Sequence, residues 1–189
     1  DCKVNQCNGA GAKVVANDGT DLPVDSNTCT GDVCAAGVPS NPALAVGTTC
    51  NQGGGAACNG AGLCIPTFVV ARVGDGALAL TANATQVFLE QRLLTGALLV
   101  KANNPNPLPT VVSGNNRPLT LAGNAGSEGN LSLSGNGSYL TIAGYDAAVG
   151  VVSVAATTAA LVNRVVARID AAGNIDSSTR LDGAFSASN

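Results

Sequence analysis

The segment NDGTDLPVDSN places Asp18, Asp21 and Asp25 within eight residues. Oxygen ligands at that density on a loop suit calcium. The spacing is not that of an EF-hand, and aspartates are also ordinary turn formers that bond their own backbone. A calcium site and a set of turns are both open at this point. A second cluster is made of sulfur. All seven cysteines lie between Cys2 and Cys64. The same stretch is rich in Gly, Asn, Asp and Thr and poor in bulky apolar residues, so a core alone cannot offset its chain entropy. Cross-links are the remedy. No C-x2-C knuckle occurs and the chain has no His, so disulfides are expected over a zinc or iron–sulfur centre. Disulfides persist in an oxidising compartment, which points to an extracellular or cell-surface protein.

Seven is an odd number. The motif CNGAG occurs at Cys7 and again at Cys58, so the segment reads as one nearly complete repeat preceded by the tail of another. Cys2 or Cys7 is expected to have lost a partner upstream. The chain holds no Met and begins at Asp1, which reads as a processed or truncated product.

Other chemistry is limited by what is missing. Without His, Ser-His-Asp and Cys-His catalysis and His-ligated zinc are excluded within the chain. Glu90 and Glu128 are its two glutamates. Asp75 and Asp170 sit in turn slots and do not read as a catalytic pair, so no enzyme is expected. Tyr139 and Tyr145 could stack on a sugar, or simply cover a sheet. The sequons at Asn83, Asn130 and Asn136 are common by chance in such a chain. Net charge is −3 with no basic run, so nucleic acid is not an expected partner. Charged residues make up 11%, against about 25% in an ordinary domain. The apolar run at 147–162 is too short and too Ala/Thr-rich for a membrane span. It reads as a buried strand followed by a loop or short helical turn.

The elements that carry these residues change at Thr67. Residues 1–66 form a disulfide-rich, loop-dominated module. Residues 67–189 alternate short Val/Leu/Ile/Thr runs with Gly, Asn and Asp, the texture of many short strands. In NLSLSGNGSYLTIAG, Asn136-Gly137 suits a two-residue type I′ loop. That choice pairs Leu133 with Leu140 and Ser132 with Thr141, and puts Leu131, Leu133, Leu140 and Ile142 on one face. DAAGN predicts a second hairpin over Ile169–Ile175, with GDG at Gly74–Gly76 as its earlier counterpart. Further strands are expected at Thr85–Arg92, at Ala97–Lys101 and near Ser178–Phe185. The Pro-rich segment 103–118 is expected to be a loop or edge crossing. VVAR occurs at Val69 and at Val165, which suggests the same strand in two successive units.

The cysteine segment, with CNGAG, NDGTDLPVDSNTCTGDVC, GTTCNQGGG and CNGAGLC, is similar to Cys-rich modules of large secreted and surface proteins of bacteria, notably myxobacteria-like lineages. LSLSGNGSYLTIAGYD, with VVARVGDG and RVVARIDAAGNIDSST, resembles the hairpins of bacterial β-propellers, with Asn136 where Asp is common. The resemblance implies one and a half to two propeller blades over 67–189, as a fragment or as a chain that shares its sheet with others. A β-sandwich is the alternative. The expected fold class is therefore all-β with antiparallel sheets. The expected role is a secreted structural or surface-assembly protein that self-associates through exposed β edges or meets other surface proteins. The alternatives are a glycan- or calcium-dependent binding module and a non-catalytic fragment of an extracellular enzyme.

Overall fold

The computed structural model describes residues 1–183. The chain divides into two compact units, Asp1–Thr67 with Val100–Ala102, and Phe68–Leu99 with the chain from Asn103 onwards.

The first unit consists of three small hairpins and their loops. They are β1 (Lys3–Cys7) with β2 (Lys13–Asn17), β3 (Val33–Ala35) with β4 (Val38–Ser40), and β5 (Ala57–Cys58) with β6 (Cys64–Ile65). Three disulfides join Cys2 to Cys34, Cys29 to Cys58 and Cys50 to Cys64. They span 32, 29 and 14 residues, which in the chain-entropy account is worth about 3–4 kcal/mol each. The core of this unit is sulfur: Cys29, Cys50 and Cys58 are buried together, with Cys64 packed against them. The two CNGAG copies share their turn hydrogen bonds, although Gly60 is left-handed and Gly9 is not. Asn8 Oδ1 accepts the amides of Ala10 and Ala12, and Asn59 Oδ1 those of Ala61 and Leu63. Gly11 and Gly62 both take the left-handed φ that closes the turn. Cys7 then faces Lys13 across the first hairpin, and Cys58 faces Cys64 across the second. Lys13 stands where the other copy has a half-cystine.

The second unit is one antiparallel sheet. Its strands are β7 (Thr67–Val73), β8 (Ala84–Leu93), β9 (Asn106–Pro107), β10 (Thr120–Ala122), β11 (Ser132–Leu133), β12 (Tyr139–Tyr145), β13 (Arg164–Asp170) and β14 (Ile175–Leu181). The path runs β14-β13-β12-β10-β8-β7, with β11 on β12 and β9 on β8. Val87, Leu89, Leu121, Ile142, Val165 and Ala167 lie in a single buried cluster, and Val69 and Ala71 of β7 pack on it. A smaller cluster on the opposite face gathers Ala84, Ala122, Tyr145, Ala147 and Val154.

The all-β expectation holds, and so does the key register: Leu133 pairs with Leu140 and Ser132 with Thr141. The turn differs. Gly137 alone in that loop has a positive φ, so Asn136 is not left-handed and the loop is not type I′. Ser134 Oγ donates to Asn136 Oδ1 at 2.8 Å and accepts the Tyr139 amide at 3.0 Å, and these bonds hold the longer loop. The DAAGN hairpin forms, with Ile169 opposite Ile175. Its strand β14 ends at Leu181, and Phe185 lies outside the described residues. The Ala97–Lys101 strand is reduced to a bridge between Arg92 and Leu98. The 147–162 run forms no strand; its one regular piece is a 3-10 turn at Val154–Ala156. That loop is held from below, since Arg164 donates to the carbonyls of Val162 and Thr157.

The repeat VVAR is a structural repeat without separate blades. Both copies lie in the same sheet, on β7 and β13. In both, the first Val and the Ala face the core and the Arg stacks on an aromatic ring. Arg72 lies 4.4 Å from the Phe88 centroid and Arg168 5.2 Å from that of Tyr139.

Candidate functional site

Asp18 and Asp25 are held by local turns, and Asp21 by the chain's amino terminus. Asp18 Oδ1 accepts the amide of Thr20 at 2.9 Å and its hydroxyl at 2.6 Å. Those bonds, the hydroxyl first, hold its carboxyl below the usual range. Asp25 Oδ1 accepts the Asn27 amide at 2.8 Å, and the Thr30 hydroxyl approaches both its oxygens. Its carboxyl is also held low, by hydrogen bonds from Asn41 and then from Asn27. Asp21 Oδ2 meets the Asp1 ammonium at 2.7 Å. Among the described residues the three carboxylates do not converge. The one group of three ligand atoms within 4.8 Å of one another is the sulfur of Cys29, Cys50 and Cys58.

Asp75 and Asp170 occupy turns. Asp75 accepts the Ala77 amide, and Asp170 accepts those of Ala172 and Asn174. Cys7 is the one free cysteine, exposed at the end of β1.

Two polar groups were not foreseen, one buried and one half-buried. Glu90 is 3% exposed and lies between two guanidiniums. Arg72 Nε reaches Oε1 at 2.5 Å, and Arg92 reaches Oε2 through Nη2 at 2.5 Å and Nε at 2.9 Å. Both arginines also donate to loop carbonyls, Arg72 to Gly74 and Arg92 to Gly96. Burial pushes the Glu90 carboxyl up, but the bonds and charges of Arg72 and Arg92 outweigh it and hold the group below its ordinary value. The signal was present in FLEQR, where Phe88, Glu90 and Arg92 alternate onto one face of β8. The second group is Glu128. It accepts the Tyr145 hydroxyl at 2.5 Å and the Ala122 amide at 3.0 Å, while Arg164 lies over the Tyr145 ring at 4.5 Å. Tyr145 is thereby committed to the fold, and Tyr139 carries Arg168. Both glutamates hold backbone and strands in place.

No family of proteins, no curated protein and no solved structure matches the chain. Among the described residues no helix is long and apolar enough to cross a membrane.

Proposed function

We propose that this chain is an extracellular structural protein that assembles with copies of itself through strand edges, and that β1–β2 is the edge used. One observation carries the reading: among the described residues β1–β2 is a two-stranded sheet with no further strand on either side, and its strands are the longest of the three such sheets. An isolated hairpin is marginal in water, and a third strand adds both ladder bonds and side-chain burial. Its outer strand β2 presents Val14 and Val15, the latter 64% exposed. Val24, Val38 and Leu63 of the same unit are exposed as well.

The far edge of the large sheet is managed differently. Asn116 donates to the Ile175 carbonyl and accepts the Ser177 amide, and the Arg117 amide bonds the Ser177 carbonyl. Those contacts occupy the start of β14. A bulge follows, where the register shifts between Val166 and Arg168, and bulges discourage edge-to-edge pairing. With the start of β14 occupied, β2 is the better template of the two. Three disulfides support an oxidising, extracellular setting.

The test is size-exclusion chromatography of the oxidised chain beside Val15→Lys. A lysine on the edge is the usual guard against strand addition. The wild type should elute as a larger species and the variant as a monomer, with the disulfides intact in both. Equal elution of the two as assemblies would sink the choice of β2.

A further inference from the structure

We infer that the reduced chain holds one zinc ion through Cys29, Cys50, Cys58 and Cys64. The inference is independent of the assembly reading. Two of the three bridges, Cys29–Cys58 and Cys50–Cys64, lie side by side. The Sγ atoms of Cys29, Cys50 and Cys58 are within 4.8 Å of one another, and all three residues are buried. The fourth sulfur is bonded to Cys50. A tetrahedral thiolate site with Zn–S of about 2.3 Å needs sulfurs about 3.8 Å apart. Opening both S–S bonds leaves four thiols in one cluster, three of them with sulfurs already within 4.8 Å of one another and Cys64 packed against them.

Backbone and side-chain hydrogen bonds position these sulfurs alongside the bridges. Cys58 and Cys64 are direct partners across β5–β6. The Cys50 amide bonds the Ala56 carbonyl and the Cys58 amide the Thr48 carbonyl. The Cys29 amide is held by Asn27 Oδ1, and the Asn27 amide group in turn holds the Gly62 carbonyl. Gly55 lets its loop close on the cluster, since a Cβ there would stand 2.5 Å from the Cys64 sulfur. The ligands thus come from a hairpin and two loops, which is why the sequence shows no C-x2-C knuckle.

The chemistry balances as follows. A phosphine or dithiol reductant supplies four electrons, and four protons from solvent complete four thiols from the two disulfides. Zinc then binds the thiolates and releases the thiol protons. Reduction otherwise dismantles the only core this unit has. The ion restores a cross-link at the same point, so a chain still in a reducing compartment has a folded form available.

The test uses the full chain, reduced with a thiol-free phosphine and treated with iodoacetamide, with and without zinc, then read by peptide mass. With one equivalent of zinc, Cys2, Cys7 and Cys34 should be modified and the other four protected. Without zinc all seven should be modified. The Cys2→Ser/Cys34→Ser variant should keep both the protection and the affinity. The Cys50→Ser/Cys64→Ser variant should lose affinity by more than the about 100-fold typical of losing a supporting hydrogen-bond partner. Modification of all seven cysteines in the presence of zinc overturns the inference. So does protection that follows Cys2 and Cys34.

Discussion

Replacing Glu90 by Gln asks whether the buried ion triad holds β7 to β8. The substitution keeps the shape and removes the charge, leaving Arg72 and Arg92 facing a neutral amide. Gln retains one acceptor oxygen where the carboxylate used two. Breaking a buried ion pair costs about 3–5 kcal/mol. Both arginine side chains are about a third exposed, so water recovers part of that and the expected loss is about 2–4 kcal/mol. For a unit of this size that is a fall in Tm of roughly 10 °C. The pH dependence follows from the depressed carboxyl. A group held low in the folded state adds stability above its unfolded value of about 4.3, and that stability drains away as pH falls through the lower folded value. The gap between wild type and E90Q should therefore be full at pH 7 and shrink below about pH 4. Thermal and urea unfolding, each followed from pH 7 to pH 3, measure it. A loss under about 1 kcal/mol at pH 7, or a gap that does not narrow in acid, would refute the reasoning.

Two further outcomes follow from packing and cross-links. Gly144→Ala puts a Cβ 2.7 Å from both Leu119 Cδ2 and the Thr120 carbonyl; overpacking at a core strand should cost about 1–3 kcal/mol, read as a lower urea midpoint. Reduction in the presence of a chelator should open the first unit, because its buried cluster is cysteine, and limited proteolysis should then cut within residues 1–67 while the oxidised chain resists.

The fold was legible where local chemistry dictates it. Leu131-Ser132-Leu133 before SGNGS and Leu140-Thr141-Ile142 after it left one register in which the apolar set shares a face, and Leu133 meets Leu140 in that register. The turn type was less legible, because side-chain bonds of Ser134 and Asn136 compete with the backbone preference of an Asn-Gly pair. Strand grouping was least legible. VVAR marks a local role, with Val and Ala inward and Arg on an aromatic ring, and that role recurs at two places in one sheet as readily as in two. The 97–101 run carries strand-forming residues, yet one bridge is all it makes, since Asn104 Nδ2 takes the Leu99 and Gln91 carbonyls. At the candidate sites, composition showed that cysteines must cross-link but not that two bridges would converge. Proximity of Asp18, Asp21 and Asp25 in sequence did not bring their carboxylates together, since Asp18 and Asp25 found donors in their own turns and Asp21 found the Asp1 ammonium.

Sedimentation velocity of the oxidised wild-type chain over a hundredfold range of concentration tests the assembly proposal most directly. The proposal requires a sedimentation coefficient that rises with concentration toward a larger species. A single monomer of 18.4 kDa at every concentration would contradict it.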